Sequence, residues 1–433
     1  MPIRRAATAA IVVLLGVNIL NYYDRQAPGA LAEPIRREFG LSDTQLGLLG
    51  SALTWVYALA GLPIGLLGDR WSRRKLLAAG VALWSALTAV GAIANSFGLL
   101  LISRLGVGIG EAVAAPTGTS WIGDLFPPDQ RSRALSVFML GVPAGTALSF
   151  FSSGPIAVVW GWRVALAVAA APALVLIPAI LLLPEPERGA AEPVPFAAHD
   201  RSLRRILRIP AFWWIVASGT MFTFNMYAIG FFMPAFLGRI HHLAVSRTGV
   251  ALGVCQVIGG MGGAWIAGKW GDKVTAGHRR MRLAAIITLS GAPASAVTFL
   301  LPAGWLLTAL VFFVCAYGAL NAYYGLVFSA LQDIVPPSLR ATAMAVYLML
   351  MYLCGASFGP LLTGHLSDRF ARRAAEAAGS VILTEANRAA GLQSAMLIVP
   401  ILSVALAITL WAGAKTMEQN QSAYATREQG ELP

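Results

Sequence analysis

Residues 124–138, DLFPPDQRSRALSVF, return as residues 333–347, DIVPPSLRATAMAVY, at one constant offset of 209. In each copy a Pro-Pro turn leads to an arginine (Arg131, Arg340) and then to an apolar run that begins the next helix. Outward from this pair, Gly65-Leu-Leu-Gly-Asp69-Arg70 returns as Gly268-Lys-Trp-Gly-Asp272-Lys273 at an offset of 203, and Gly50 returns as Gly253. A unit of about 200 residues has therefore been duplicated in the same orientation. Two such units related by an axis along the membrane normal, with a substrate site near the midplane between them, are transporter architecture.

The composition agrees. Of 433 residues, 57% are apolar and 12% charged, against about 25% charge in a soluble domain. At about 20 residues per bilayer crossing the apolar content furnishes about twelve spans. Runs of that length are read at 7–31, 44–67, 75–96, 98–125, 131–158, 162–184, 209–238, 245–270, 281–302, 304–333, 340–366 and 390–414. The predicted fold is an all-α membrane protein of twelve transmembrane helices. It comprises a six-helix bundle over 1–184, a cytoplasmic linker over 185–207, a second bundle over 208–414 and a disordered tail over 415–433. With the N-terminus inside, 21 of the 32 Lys and Arg fall on inner segments and nine on outer ones. Both termini are therefore expected in the cytoplasm, despite the Asp368–Arg373 cluster in a long outer loop at 368–389. The first run continues without a cleavage site into Asn21 and Asp24, so it reads as a retained helix rather than a signal peptide. The net charge of +12 reads as positive-inside bias, not nucleic-acid binding.

Gly65-x-x-x-Asp69-Arg70-x-x-Arg73-Arg74-Lys75, between the second and third spans, resembles the loop motif of the major facilitator superfamily. Arg104-x-x-x-Gly108-x-Gly110 is similar to that superfamily's motif in the fourth span. Asn21-Tyr-x-Asp24-Arg25, Gly110-Glu111-Ala112, the two Pro-Pro repeats and Gly359-Pro360 resemble the spinster-like transporters of lysolipids and sphingolipids; sugar-acid/proton symporters share the charged positions. The resemblance covers essentially the whole chain. It implies that Asp24 and Glu111 exchange protons and that the loop of Gly65, Asp69, Arg70, Arg73 and Arg74 gates the cytoplasmic side.

Asp24, Arg25, Arg104 and Glu111 are the charges well inside predicted spans, each costing about 2.5–3.5 kcal/mol on insertion scales. Apolar residues would fill the same space without that penalty, so function is favoured over packing. Arg104 and Glu111, seven residues apart, share one helix face; Asp24 and Arg25 straddle the direction of Asn21, on a polar stripe begun by Asn18. Pro28 and Pro116 cannot donate to the carbonyls of Asp24 and Ala112, which places both acids beside weakened turns. At the repeat offset the second half presents Tyr227, Phe313 and Leu320 instead of these charges. Its polar residues, Asn225, Tyr227, Gln256, Tyr317, Asn321, Tyr323 and Tyr324, suit a neutral or amphiphilic part of a ligand, with Tyr227, Asn321 and Tyr324 as candidate contacts.

No phosphate loop is present to power an ATP-driven pump, so a proton gradient is the expected energy source and no cofactor or metal is expected. Gly355-x-Ser357-x-Gly359 lies in an apolar helix, without the strand and the His/acid pair of a hydrolase elbow; an enzyme is not expected. His241-His242 reads as a solvated outer loop. The expectation is a monomeric, multi-pass carrier of a bacterial cell (inner) membrane, bathed in membrane lipids. Its substrate would be a small amphiphilic or anionic molecule, either a lysophospholipid or sphingoid phosphate or, alternatively, a sugar acid.

Overall fold

The computed structural model describes residues 2–68, 71–187, 203–271, 273–274, 276–335, 339–380 and 382–430. Helices α1 (Pro2–Ala30), α3 (Asp43–Gly68) and α4 (Arg73–Ala92) are the first three spans, with the short α2 (Ala32–Phe39) between the first two. The fourth span is α5 (Phe97–Glu111) plus α6 (Ala114–Leu125), the fifth α7 (Pro128–Met139) plus α8 (Gly141–Trp160), and the sixth α9 (Trp162–Ala170) plus α10 (Ala173–Leu182). After the five-residue α11 (Leu203–Leu207) come α12 (Pro210–Ile240), α13 (Val245–Gly271), α14 (Gly277–Leu300) and α15 (Leu306–Asp333). The last two spans are α16 (Arg340–Met351) with α17 (Gly359–Ala377), and α18 (Glu385–Met396) with α19 (Ile398–Gly430).

Among the described residues there is no strand, and eleven helical stretches are long and apolar enough to cross a membrane. The 26-residue α3 stands where the sequence predicts the remaining span. Exposed side chains such as Ile93, Val159, Leu174 and Leu182 cover the helix exteriors, an apolar surface far beyond what a water-soluble monomer carries. The protein is a multi-pass membrane protein.

Local chemistry sets the helix ends. The hydroxyls of Ser72, Ser96 and Thr384 cap α4, α5 and α18 by accepting from the backbone N–H three residues on, which satisfies otherwise orphaned donors. The fourth span breaks between Glu111 and Ala114, four residues before the proline that cannot bond Ala112. Pro28 has no such effect, and α1 runs through it to Ala30. At the other break, α16 passes into a π turn over Tyr352–Ala356, where Ser357 donates both its N–H and its hydroxyl to the Tyr352 carbonyl. Gly355 and Gly359 lie there against the backbone of α12, so the G-x-S-x-G pattern is close helix packing, as its apolar context predicts.

Three expectations are corrected. The outer loop expected at 368–389 is mostly helix, because its Ala- and Arg-rich first half continues α17 to Ala377, and residues of that kind propagate a helix at little cost. The tail expected to be disordered continues α19 to Gly430; extending an existing helix avoids the nucleation penalty. His241 is buried and packs edge-on against Phe236, because the chain reverses at His242 (φ 55°) with Leu243 N–H bonded to the Leu237 carbonyl, a left-handed helix stop.

The chain forms two compact units, one of Met1–Ala197, Gly230–Val254 and Pro360–Asp368, the other of Ala198–Ile229, Cys255–Gly359 and Arg369–Pro433. Their segments alternate along the chain. The first unit has a core of Leu14, Val17, Val81, Trp84, Val107, Trp121 and Phe138. At one edge of it Asp368 accepts from the backbone N–H groups of Asp43 and Thr44 at 3.0 and 2.8 Å, capping α3 from α17. Beside this cap Arg239 is paired with Asp43 at 2.7 Å and with Glu33 at 2.5 Å.

Candidate functional site: two buried acid–arginine pairs

The four intramembrane charges lie together in the first unit, and they pair crosswise. Arg25 donates from Nε (3.1 Å) and Nη2 (2.9 Å) to the same Glu111 oxygen, Oε2. Arg104 approaches Asp24 loosely, at 3.4 and 3.5 Å from Nη1. All four side chains are 4% exposed or less. Asn21 Oδ1 receives Arg25 Nη2 at 3.4 Å. Asn18 belongs to packing instead, donating to the Phe138 carbonyl at 2.8 Å.

Two residues completing this site carried no signal in the sequence. Thr88, fully buried on α4, donates to Asp24 Oδ2 at 2.8 Å and accepts from Arg104 Nη2 at 2.8 Å. Tyr57 on α3 places its ring 4.3 Å from the Arg25 guanidinium carbon, with the Tyr22 ring at 5.1 Å. Only Tyr22 was findable, since it sits one helical turn before Arg25.

Small residues bring these groups together. Gly110 faces α4 so closely that a Cβ would lie 2.8 Å from the Gly80 carbonyl oxygen and 2.8 Å from Trp84 N. That contact sets α5 against α4 and carries Arg104 to Thr88. Gly108 meets α3 in the same way, and Gly145 seats α8 against α1. Without a hydrophobic driving force between helices, such close packing is what associates them.

Of the expected gating residues, Asp69 and Arg70 lie outside the described residues, as do the surroundings of Gly65. Arg73 is buried and spends its donors within the first unit, on Asp124, on the Ser120 carbonyl at 3.2 Å and on the Pro186 carbonyl at 2.9 Å. Arg74 reaches the Leu183 carbonyl at 3.5 Å. Glu185 accepts from the Ser72 hydroxyl and Arg73 N–H, each at 2.5 Å. Burial raises its pKa, but these hydrogen bonds, with the Arg74 N–H and the Arg73 charge, outweigh burial and hold the carboxyl below the ordinary glutamate range.

In the second unit the predicted polar residues divide. Tyr323 is buried in a hydroxyl chain with Ser218 (2.7 Å) and Tyr347 (2.9 Å), and Asn225 donates to Ser403 at 3.1 Å; these are packing groups. Tyr227, Asn321 and Tyr324 are partly exposed. Tyr227 packs edge-on against Tyr352 at 5.9 Å, Tyr324 edge-on against Phe222 at 4.8 Å, and Asn321 donates to the Tyr317 carbonyl of its own helix. Among the described residues no group of His, Cys, Asp or Glu is arranged to hold a metal ion.

Comparison with known proteins agrees with this arrangement. The family model of the Major Facilitator Superfamily matches residues 14–360. An MFS-type efflux pump of Mycolicibacterium smegmatis is 32% identical over 84% of this chain and 85% of its own length. The sphingosine-1-phosphate transporter SPNS2 of Xenopus tropicalis is 29% identical over 84% of this chain and 74% of its own. A crystal structure of a bacterial homolog to the human lysosomal transporter spinster, inward-facing and unoccupied, superposes with a TM-score of 0.83 at 25% identity, covering 96% of this chain and 98% of that one. The crosswise ion pairs thus stand in a transporter scaffold rather than an enzyme, and the chain belongs to the major facilitator superfamily as a spinster-like transporter.

Proposed function

We propose that the protein is a proton-coupled secondary carrier that works by alternating access on an amphiphilic anionic or zwitterionic lipid, such as a lysophospholipid or sphingoid phosphate. The observation that carries this reading is the pair of acid–arginine contacts buried in the first unit. Each arginine is committed to a carboxylate, so a substrate anion competes for it with an acid of the protein. Protonating the acid neutralises the competitor and releases the guanidinium, while an anion bound to the guanidinium favours the protonated acid. Proton and anion occupancy are linked through one shared partner.

The lipid character of the substrate is supported by one relative, the sphingosine-1-phosphate transporter SPNS2, and by the polarity of the chain. The four intramembrane charges stand in the first unit, while the partly exposed Tyr227 and Tyr324 of the second pack edge-on against the rings of Tyr352 and Phe222. A small sugar acid needs polar partners on all sides, whereas a headgroup with a chain needs one polar and one greasy wall. We further infer two parallel six-helix repeats over 1–184 and 208–414, both termini in the cytoplasm, and a monomer in a bacterial inner membrane. The loop of Gly65, Asp69, Arg70, Arg73 and Arg74 gates the inner side.

Purified protein in liposomes tests this. Lysophospholipid on one side should drive proton uptake, and affinity should rise with acyl length. Asp24→Asn with Glu111→Gln should abolish proton-driven accumulation. Unchanged accumulation in the double variant, or tighter binding of a short sugar acid than of any long-chain ligand, refutes the respective part.

A further inference from the structure

On the proposed topology, the ends of α1, α8, α12 and α17 and the starts of α3 and α13 are the outer ends of their spans. Gly230–Val254 and Pro360–Asp368, the outer parts of α12, α13 and α17, belong to one compact unit with Met1–Ala197. The second repeat is therefore packed onto the first at this side of the membrane.

Glycines make that packing close. A Cβ on Gly364 of α17 would overlap the Asp43 carbonyl oxygen at the start of α3, and one on Gly47 of α3 would overlap the Pro360 carbonyl. Gly249 of α13 meets the Phe150 carbonyl of α8 in the same way, and a Cβ on Gly154 would lie 2.7 Å from the Val245 carbonyl oxygen. A Cβ on Gly29 of α1 would lie 3.1 Å from the Gly230 carbonyl oxygen of α12. Such seams are held by dispersion, and a gap of about 1 Å forfeits up to about half of that attraction. They hold only while their register is kept.

Arg239 is placed to keep it. At the end of α12 and 5% exposed, it donates to the two Asp43 oxygens at 2.7 and 2.8 Å and to Glu33 Oε1 at 2.6 Å. One guanidinium of the second repeat thus binds α2 and α3 of the first, and its planar fork is what allows it to serve two carboxylates. From α17, Asp368 accepts from the Asp43 and Thr44 N–H groups, and Ser367 donates to Asp43 Oδ2 at 2.6 Å. Asp43 is where the contacts from α12 and α17 converge.

We propose that Arg239, with Glu33, Asp43 and Asp368, is the latch of the outer gate. It holds the glycine seams in register, and it releases its acids when the outer side opens. This rests on the two-repeat, alternating-access reading and assigns that reading an outer gate.

Spin labels on Arg37 of α2 and Arg247 of α13, both exposed, measure the separation of the repeats at this side without any transport. Cys255, Cys315 and Cys354 are replaced by alanine so that only these two sites are labelled. The wild type should show mainly the short distance. Arg239→Gln/Asp43→Asn removes one charge of each sign and leaves Glu33 to Arg36, its 3.1 Å partner. It should raise the ratio of long to short distances about tenfold or more, the worth of one hydrogen bond between charged groups. Gly364→Ala, which wedges the α3–α17 seam and touches no charge, should lengthen the distance as well. Wild-type distances in the double variant overturn the proposal. Should that variant not fold, Arg239→Lys decides in its place, since an ammonium keeps the charge without the fork; unchanged distances there overturn the proposal too. Lengthened distances in the variants, with wild-type protein that carries no lysophospholipid across liposomes, would support the latch and refute the carrier reading.

Discussion

Arg25→Ala should be among the most destabilising single changes in the first unit, and a second change, Glu111→Gln, should give back about 1 kcal/mol of the loss instead of adding to it. Arg25 makes two hydrogen bonds to one Glu111 oxygen, at 2.9 and 3.1 Å, and both side chains are 4% exposed or less. Removing one partner of a buried pair leaves an uncompensated charge, at a cost of about 3–5 kcal/mol. Glu111→Gln is milder, because the amide oxygen still accepts from Arg25 and the guanidinium keeps the Tyr57 ring 4.3 Å away; about 1–2 kcal/mol is expected. In the glutamine background the arginine no longer balances a charge, so its removal should cost only about 1–2 kcal/mol. The cycle therefore predicts a coupling energy of about 2–3 kcal/mol. Equilibrium unfolding in mixed detergent micelles, monitored by tryptophan fluorescence, measures all four corners. Additivity to within about 0.5 kcal/mol would show that the pair is not an energetic unit.

Further predictions concern the scaffold. The Glu185 carboxyl is held below the ordinary glutamate range, so its contribution is complete above the unfolded value near 4.3 and is lost as pH falls through the lower folded value; Glu185→Gln should flatten the acid limb of thermal stability, and an unchanged limb would refute its anchoring role. Gly110→Val should force α5 from α4, since even a Cβ would meet the Gly80 oxygen at 2.8 Å. A cost of about 1–3 kcal/mol with loss of proton-coupled uptake is expected, and wild-type uptake would show that the close approach does not position Arg104. Asp368→Ala removes the acceptor of two α3 backbone donors and should cost about 1–2 kcal/mol in unfolding free energy, with Asp368→Asn in between, because its amide keeps only one of the two oxygens that take these bonds. Equal losses from Asn and Ala would argue against capping.

The sequence by itself determined the span-by-span helical reading, the family and the four charges inside the spans. Each of these is a one-dimensional property: apolar run length sets a crossing, and a charge in such a run is conspicuous because hydrocarbon penalises it. The break beside Glu111 was legible for the same reason, since Pro116 removes a local hydrogen bond. Only the tertiary structure decided the partners. Asp24 and Arg25 are adjacent in the chain yet point to different residues of α5, Arg104 and Glu111, because successive side chains on a helix diverge by about 100°. Which neighbour each meets depends on the rotation of α1 against α5. Thr88 and Tyr57 were invisible, being ordinary residues in apolar helices until Gly80–Gly110 packing and the seating of α3 bring them to the charges. Asp368, expected in a long polar loop, became a helix cap because α17 continues far enough to bring its carboxylate to the start of α3, and a contact across 324 residues of chain leaves no periodicity to read.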